Sequence, residues 1–87
     1  MKIKNEYKVK TVAGEKIVVP LGKESQVNRG VFKLNEEAAC LFNIFIKKID
    51  NGAGVNALVE NFGADESSAK KDVEDFIQML IDFKMVE

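Results

Sequence analysis

The sequence predicts an α+β fold, a short antiparallel sheet followed by a helical half, and two observations predict it. Apolar residues alternate with charged ones over the first third of the chain, as in Tyr7-Lys8-Val9-Lys10, whereas after Asn35 they recur at helical spacing. The change is abrupt: Val31-Phe32-Lys33-Leu34 has the pattern of a strand, and the nearly all-apolar run from Ala38 to Ile46 has that of a buried helix. With 87 residues, 46% of them hydrophobic and 31% charged, the chain is expected to fold as one domain, residues 1–87, around one core.

Tyr7 to Val12 forms the first predicted strand, Ala13-Gly14-Glu15-Lys16 the turn, and Ile17-Val18-Val19 the second strand up to Pro20. Leu21 to Arg29 is polar and contains Gly22, Ser25 and Asn28, so a loop is expected before a third strand over Gly30 to Leu34. Asn35 suits an N-cap, with Glu36 and Glu37 placed where the helix dipole favours negative charge. Ala38, Leu41, Phe42, Phe45 and Ile49 keep helical spacing, and Ala39, Cys40, Ile44 and Ile46 widen the apolar arc, so this helix is expected to be central and to end at Asn51-Gly52. Val55, Leu58, Val59 and Phe62 mark a second helix capped by Gly63. Asp65 opens a third helix, through Ala69, Val73, Phe76, Ile77 and Leu80 to about Phe83. A hairpin with a third strand, then three helices with a tight turn between the last two, is the element list of a winged helix-turn-helix whose strands sit at the N-terminus.

Composition narrows the function. There is no His and one Cys, so the common zinc sets, His-based catalytic triads and an internal disulfide are excluded, and neither an enzyme nor a bound cofactor is expected. No apolar run approaches the roughly 20 residues needed to span a bilayer, and the first residues lack the apolar core of a signal peptide; a cytoplasmic protein is expected. Residues 1–33 carry eight Lys/Arg against three Glu, whereas residues 34–87 carry five Lys against eleven acids. In a winged helix the third helix would approach phosphates, yet Asp65 to Glu87 holds seven acids and three Lys, a balance that repels nucleic acid. A nucleic-acid-binding winged helix working through Lys8 and Lys10 of the hairpin stays as the alternative.

Cys40 among apolar neighbours reads as a core residue, and Gly52-Ala53-Gly54 lacks the Lys-Ser/Thr ending of a phosphate loop and reads as a turn. Asp72 and Asp75 without a third ligand do not define a metal site.

Two passages resemble a known family. Leu34-Asn35-Glu36-Glu37-Ala38-Ala39-Cys40-Leu41-Phe42 is similar to the L-N-x-x-(A/G)-x-x-(I/L)-W passage of PqqD-like proteins, and Asp72-Val73-Glu74-Asp75-Phe76-Ile77 to their D-V-x-x-F-(L/I) passage. Phe42 replaces a Trp, and Lys84 stands where a Gly commonly precedes the last apolar pair, here Met85-Val86. The resemblance implies a RiPP recognition element: a peptide chaperone that binds the leader of a ribosomally made precursor peptide and presents it to a modifying enzyme, often a radical S-adenosylmethionine protein. It further implies that the leader adds to the third strand as an antiparallel strand and packs against the third helix.

The residues fit such a site. A last strand leaves backbone groups free to pair, with Phe32 and Leu34 on one face and Val31 and Lys33 on the other. On the third helix Asp72, Met79 and Phe83 fall together beside Phe76. The expected peptide-binding residues are therefore Arg29, Gly30, Val31, Phe32 and Lys33 on the strand side, and Asp72, Asp75, Phe76, Met79 and Phe83 on the helix side. Arg29 and Lys33 would favour acidic leader residues, and Asp72 and Asp75 a basic one. The same strand edge could pair with a second copy, giving a homodimer.

Overall fold

A hairpin whose two-residue turn sets the hydrogen-bond parity of the whole sheet begins the fold. In the computed structural model, which describes residues 1–27 and 32–87, β1 (Tyr7–Val12) pairs with β2 (Glu15–Pro20) across Ala13-Gly14, and β2 pairs with β3 (Phe32–Leu34), both antiparallel. Ala13 and Gly14 both have positive φ, 52° and 79°, as a type I′ turn requires, so the turn is tighter than the four residues expected and Glu15 and Lys16 join β2. The flanking pair Val12–Glu15 exchanges hydrogen bonds, and parity alternates from there. Glu15, Ile17 and Val19 therefore point their backbone groups at β1, while Lys16 and Val18 point theirs at β3, opposite Leu34 and Phe32. Pro20, which has no N–H, falls where no bond to β1 is required.

The interval between β2 and β3 contains an element the sequence did not announce, the one-turn α1 (Glu24–Val27). It is too short for helical periodicity. Glu24 holds it down: its carboxylate accepts from the Tyr7 hydroxyl at 2.8 Å and the Lys4 ammonium at 3.3 Å. Gly30 and Val31, expected to begin the third strand, lie with Asn28 and Arg29 outside the described residues.

Three longer helices follow: α2 (Glu36–Phe45), α3 (Asn51–Phe62) and α4 (Glu66–Asp82). Each is capped by the side chain before it, Asn35 to the Ala38 amide, Asp50 to that of Ala53 and Asp65 to that of Ser68. Two boundaries differ from the sequence reading. α2 stops at Phe45 instead of continuing past Ile49, and Asn51-Gly52 opens α3 rather than closing α2, because Asp50 captures the new helix start. Gly52-Ala53-Gly54 is accordingly the first turn of α3, not a connecting turn. Gly54 is required where it stands: a Cβ there would lie 2.8 Å from Phe45 and 3.1 Å from both Leu41 and Val73, so α3 crosses α2 and α4 at contact distance.

One core joins both halves, with Tyr7 and Val18 from the sheet, Phe42 and Phe45 from α2, Leu58 from α3, and Val73 and Leu80 from α4, all essentially inaccessible to solvent. The chain ends close it. Ile3 bridges Val86, the Lys4 amide donates to the Met85 carbonyl at 2.8 Å, and that of Glu87 to the Lys2 carbonyl at 3.0 Å. The return begins with a left-handed cap: Lys84 takes φ 57° despite having a side chain, its amide donates to Ile81, and the Met85 amide reaches back to Leu80. The non-glycine residue thus adopts the conformation that glycine would favour.

A candidate peptide groove between the third strand and the last helix

Since Phe32 and Leu34 direct their backbone groups at β2, alternation turns the N–H and C=O of Lys33 to the opposite, outer edge of β3. No strand pairs with that edge among the described residues. The side chains follow the complementary alternation: Leu34 is buried, Phe32 half-buried against the core, and Lys33 exposed on the outer face of the sheet, where its ammonium pairs with Glu15 at 2.7 Å.

At one end the strand meets the close of α4. The Phe32 and Phe83 rings pack edge to face, centroids 4.8 Å apart at 64°, and Phe83 keeps 44% of its surface exposed. At the other end, beyond Leu34, an open cleft of about 380 Å³ lies between the start of α2 and the flank of α4. Its apolar floor is formed by Ala38, Leu41, Leu58, Phe76 and Met79, and its polar rim by Asn35, Glu37, Asp72 and Asp75. Asn35 serves twice, since its carboxamide oxygen accepts from the Ala38 amide at 2.8 Å to start α2 while the residue borders the cleft. Asp72, Asp75, Phe76, Met79 and Phe83 therefore form one stripe along α4, its acidic end at the cleft and its aromatic end at Phe32.

The expected residues do not all have the expected role. Phe76 is only 8% exposed and packs on Phe45 at 6.2 Å, so it is a core residue that also shows one face to the cleft. Met79 is half-buried and divides its contacts similarly. Asp75 is not a free charge: Lys71, one turn earlier, binds it at 2.9 Å, and this hydrogen bond and the carboxylate's field raise the Lys71 ammonium above its ordinary pKa. Asp72 and Glu37 have no hydrogen-bond or ion-pair partner among the described residues. Arg29, Gly30 and Val31 lie outside the described residues.

Sequence reasoning missed Asn35, Glu37, Ala38, Leu41 and Leu58 as cleft residues. Their helical spacing marks them as core or cap, and only the crossing of α2, α3 and α4 reveals which of them border an opening.

Two further clefts open on the surface, one of about 340 Å³ bordered by Asn51, Val55, Asn56, Glu66 and Lys70, and one of about 470 Å³ beside Ala39, Ile44 and half-buried Cys40, whose sulfur is 4.0 Å from the Asn61 amide nitrogen; neither is bordered by a residue of β3 or by its neighbour Asn35. No group of three or more potential metal ligands and no helix long and apolar enough to cross a membrane occurs among the described residues.

No family profile matches the chain, and no curated protein matches it. Among solved structures, TbiB1 in complex with the TbiA(beta) leader peptide matches with a TM-score of 0.78, over 100% of this chain and 95% of that one, at 17% identity. At that identity the likeness is one of fold. Three antiparallel strands followed by helices, an α+β fold, is the arrangement that the sequence predicts.

Proposed function

We propose that this domain binds the leader segment of a ribosomally synthesised precursor peptide and presents it, in the cytoplasm, to a separate modifying enzyme such as a radical S-adenosylmethionine maturase. The leader adds antiparallel to the outer edge of β3. One set of alternate side chains enters the groove along α4, and the other lies beside Lys33 on the outer face of the sheet. The observation that carries this reading is the coincidence of an outward Lys33 amide and carbonyl with an apolar cleft that opens just past the end of the same strand, at Asn35. The fold shared with a protein solved with a leader peptide supports it.

The domain's part is binding, not catalysis. Two leader side chains buried in the groove contribute about 1.5–3 kcal/mol each, which with strand pairing and after ordering costs gives affinity in the micromolar range. Calorimetric titration with leader segments encoded beside the gene tests the reading. Saturable one-to-one binding is expected; no saturation below high micromolar for any of them, or tighter salt-dependent binding to duplex DNA, overturns it.

A further inference from the structure

The groove has unlike ends, and the strand beside it fixes the direction of any chain added antiparallel to it. From Asp72 to Phe83 the stripe on α4 extends about 16 Å at 1.5 Å per residue. A strand covers that distance in about five residues, of which alternate ones face inward. Three inward positions are therefore available. On the strand-addition reading, a side chain opposite Phe32 would meet the Phe32–Phe83 pair, one opposite Leu34 would be directed toward the apolar cleft that opens past that residue, and one a step further would approach its rim at Glu37 and Asp72.

β3 runs from the aromatic end toward the acidic end, because Phe32 touches Phe83 and Asn35, just past Leu34, borders the acidic cleft. An antiparallel partner runs the other way, entering at the acids and leaving at the aromatics. Asp75 has Lys71 as a direct, exposed ion-pair partner, whereas Asp72 and Glu37 have none among the described residues and supply the selective charge. The other end is the Phe32–Phe83 pair.

We infer that the groove reads a directional pattern in its peptide: a Lys or Arg, two residues later a large aliphatic side chain, and two residues later an aromatic or aliphatic one. This rests on the strand-addition reading above and names the peptide class that reading leaves open. The basic side chain meets Asp72 and Glu37, the aliphatic one fills the cleft, and the last packs on Phe32 and Phe83. Because the cationic contact is partly solvent-exposed, it tunes choice more than strength, at about fivefold in Kd or less.

The test is selection of a displayed random dodecapeptide library on the intact protein and on Asp72→Lys and Glu37→Lys/Asp72→Lys variants, each shown by thermal melting to be folded. The wild type is expected to enrich a basic residue two positions before an aliphatic one; the variants keep the apolar spacing and replace the basic preference with Asp or Glu. Peptides chosen by the wild type should bind the Asp72→Lys variant about fivefold more weakly by fluorescence anisotropy. Apolar alternation enriched without a basic preference, or with the basic residue on the C-terminal side of the anchor, overturns the inference and leaves strand addition standing. Failure to enrich any alternating apolar pattern overturns both.

Discussion

Replacement of Lys33 by proline removes a single N–H from the outer rim of β3 and leaves the bonds of Phe32 and Leu34 to β2 in place. Phe32, which precedes it, is already in a strand, the conformation that a following proline demands. The ion pair with Glu15 is lost, but both partners are more than half exposed, so its loss matters little and Lys33→Ala measures it separately. An added peptide loses one backbone hydrogen bond, worth about 1 kcal/mol net, or about fivefold in Kd, and the proline ring projects into the path of the incoming strand. Lys33→Pro should therefore bind a leader peptide about tenfold more weakly than Lys33→Ala, by calorimetry, with melting temperatures within a few degrees of each other. Equal affinities in two folded variants would refute strand addition at this edge. Collapse of the fold in Lys33→Pro alone would show that the amide points at β2 and that the parity derived from the Ala13-Gly14 turn is wrong.

Gly54→Ala should destabilise the domain despite the better helix propensity of alanine. The new methyl group lies 2.8 Å from Phe45 and 3.1 Å from Leu41 and Val73, and overpacking of about 1–3 kcal/mol exceeds the propensity gain of about 0.5–1 kcal/mol; urea denaturation reads the balance. Lys84→Gly should stabilise by about 0.5–1 kcal/mol, since relief of the left-handed φ outweighs the greater freedom of glycine in the unfolded chain, and should raise the melting temperature by a few degrees. Glu24 has its pKa held below the ordinary 4.5 by the Tyr7 hydroxyl and then the Lys4 ammonium, partly opposed by burial. A carboxyl whose pKa is lowered by folding stabilises above its unfolded value and loses that contribution as pH falls through the folded one. Wild type should therefore melt above Glu24→Gln at neutral pH, and the gap should close as pH falls below 4.5 through the folded-state value.

The strands and helices were legible because each carries its own period and its own punctuation. Asn35 and Asp65 before apolar periodic runs, and Gly63 after one, mark boundaries by side-chain chemistry alone, and all three have the predicted capping role. The interval from Ile46 to Gly54 misled for an equally local reason. Asn51-Gly52 has the composition of a helix stop, and the competing signal, Asp50 as an N-cap, outweighs it only because Gly54 lets α3 approach Phe45. α1 was invisible because four residues cannot display a period; its anchor is a contact between Glu24 and Tyr7, 17 positions apart. In the site, the stripe from Asp72 to Phe83 was readable as one side of a helix. What spacing could not give was depth and pairing: Phe76 and Met79 are buried to different extents by their neighbours, and Asp75 has Lys71 as an ion-pair partner one turn earlier.

An open strand edge beside an apolar groove invites pairing with another copy of the same chain, and the residues at this edge oppose it. A charged side chain stands at the centre of the described strand, and lysine-bearing edges are poor templates for self-association. A symmetric antiparallel dimer centred on Lys33 would set two ammonium groups directly opposite each other, which destabilises the pair. A heterologous peptide avoids that penalty by carrying an acidic or neutral residue opposite Lys33. The charge that disfavours a homodimer through β3 is thus one that a different chain can accommodate.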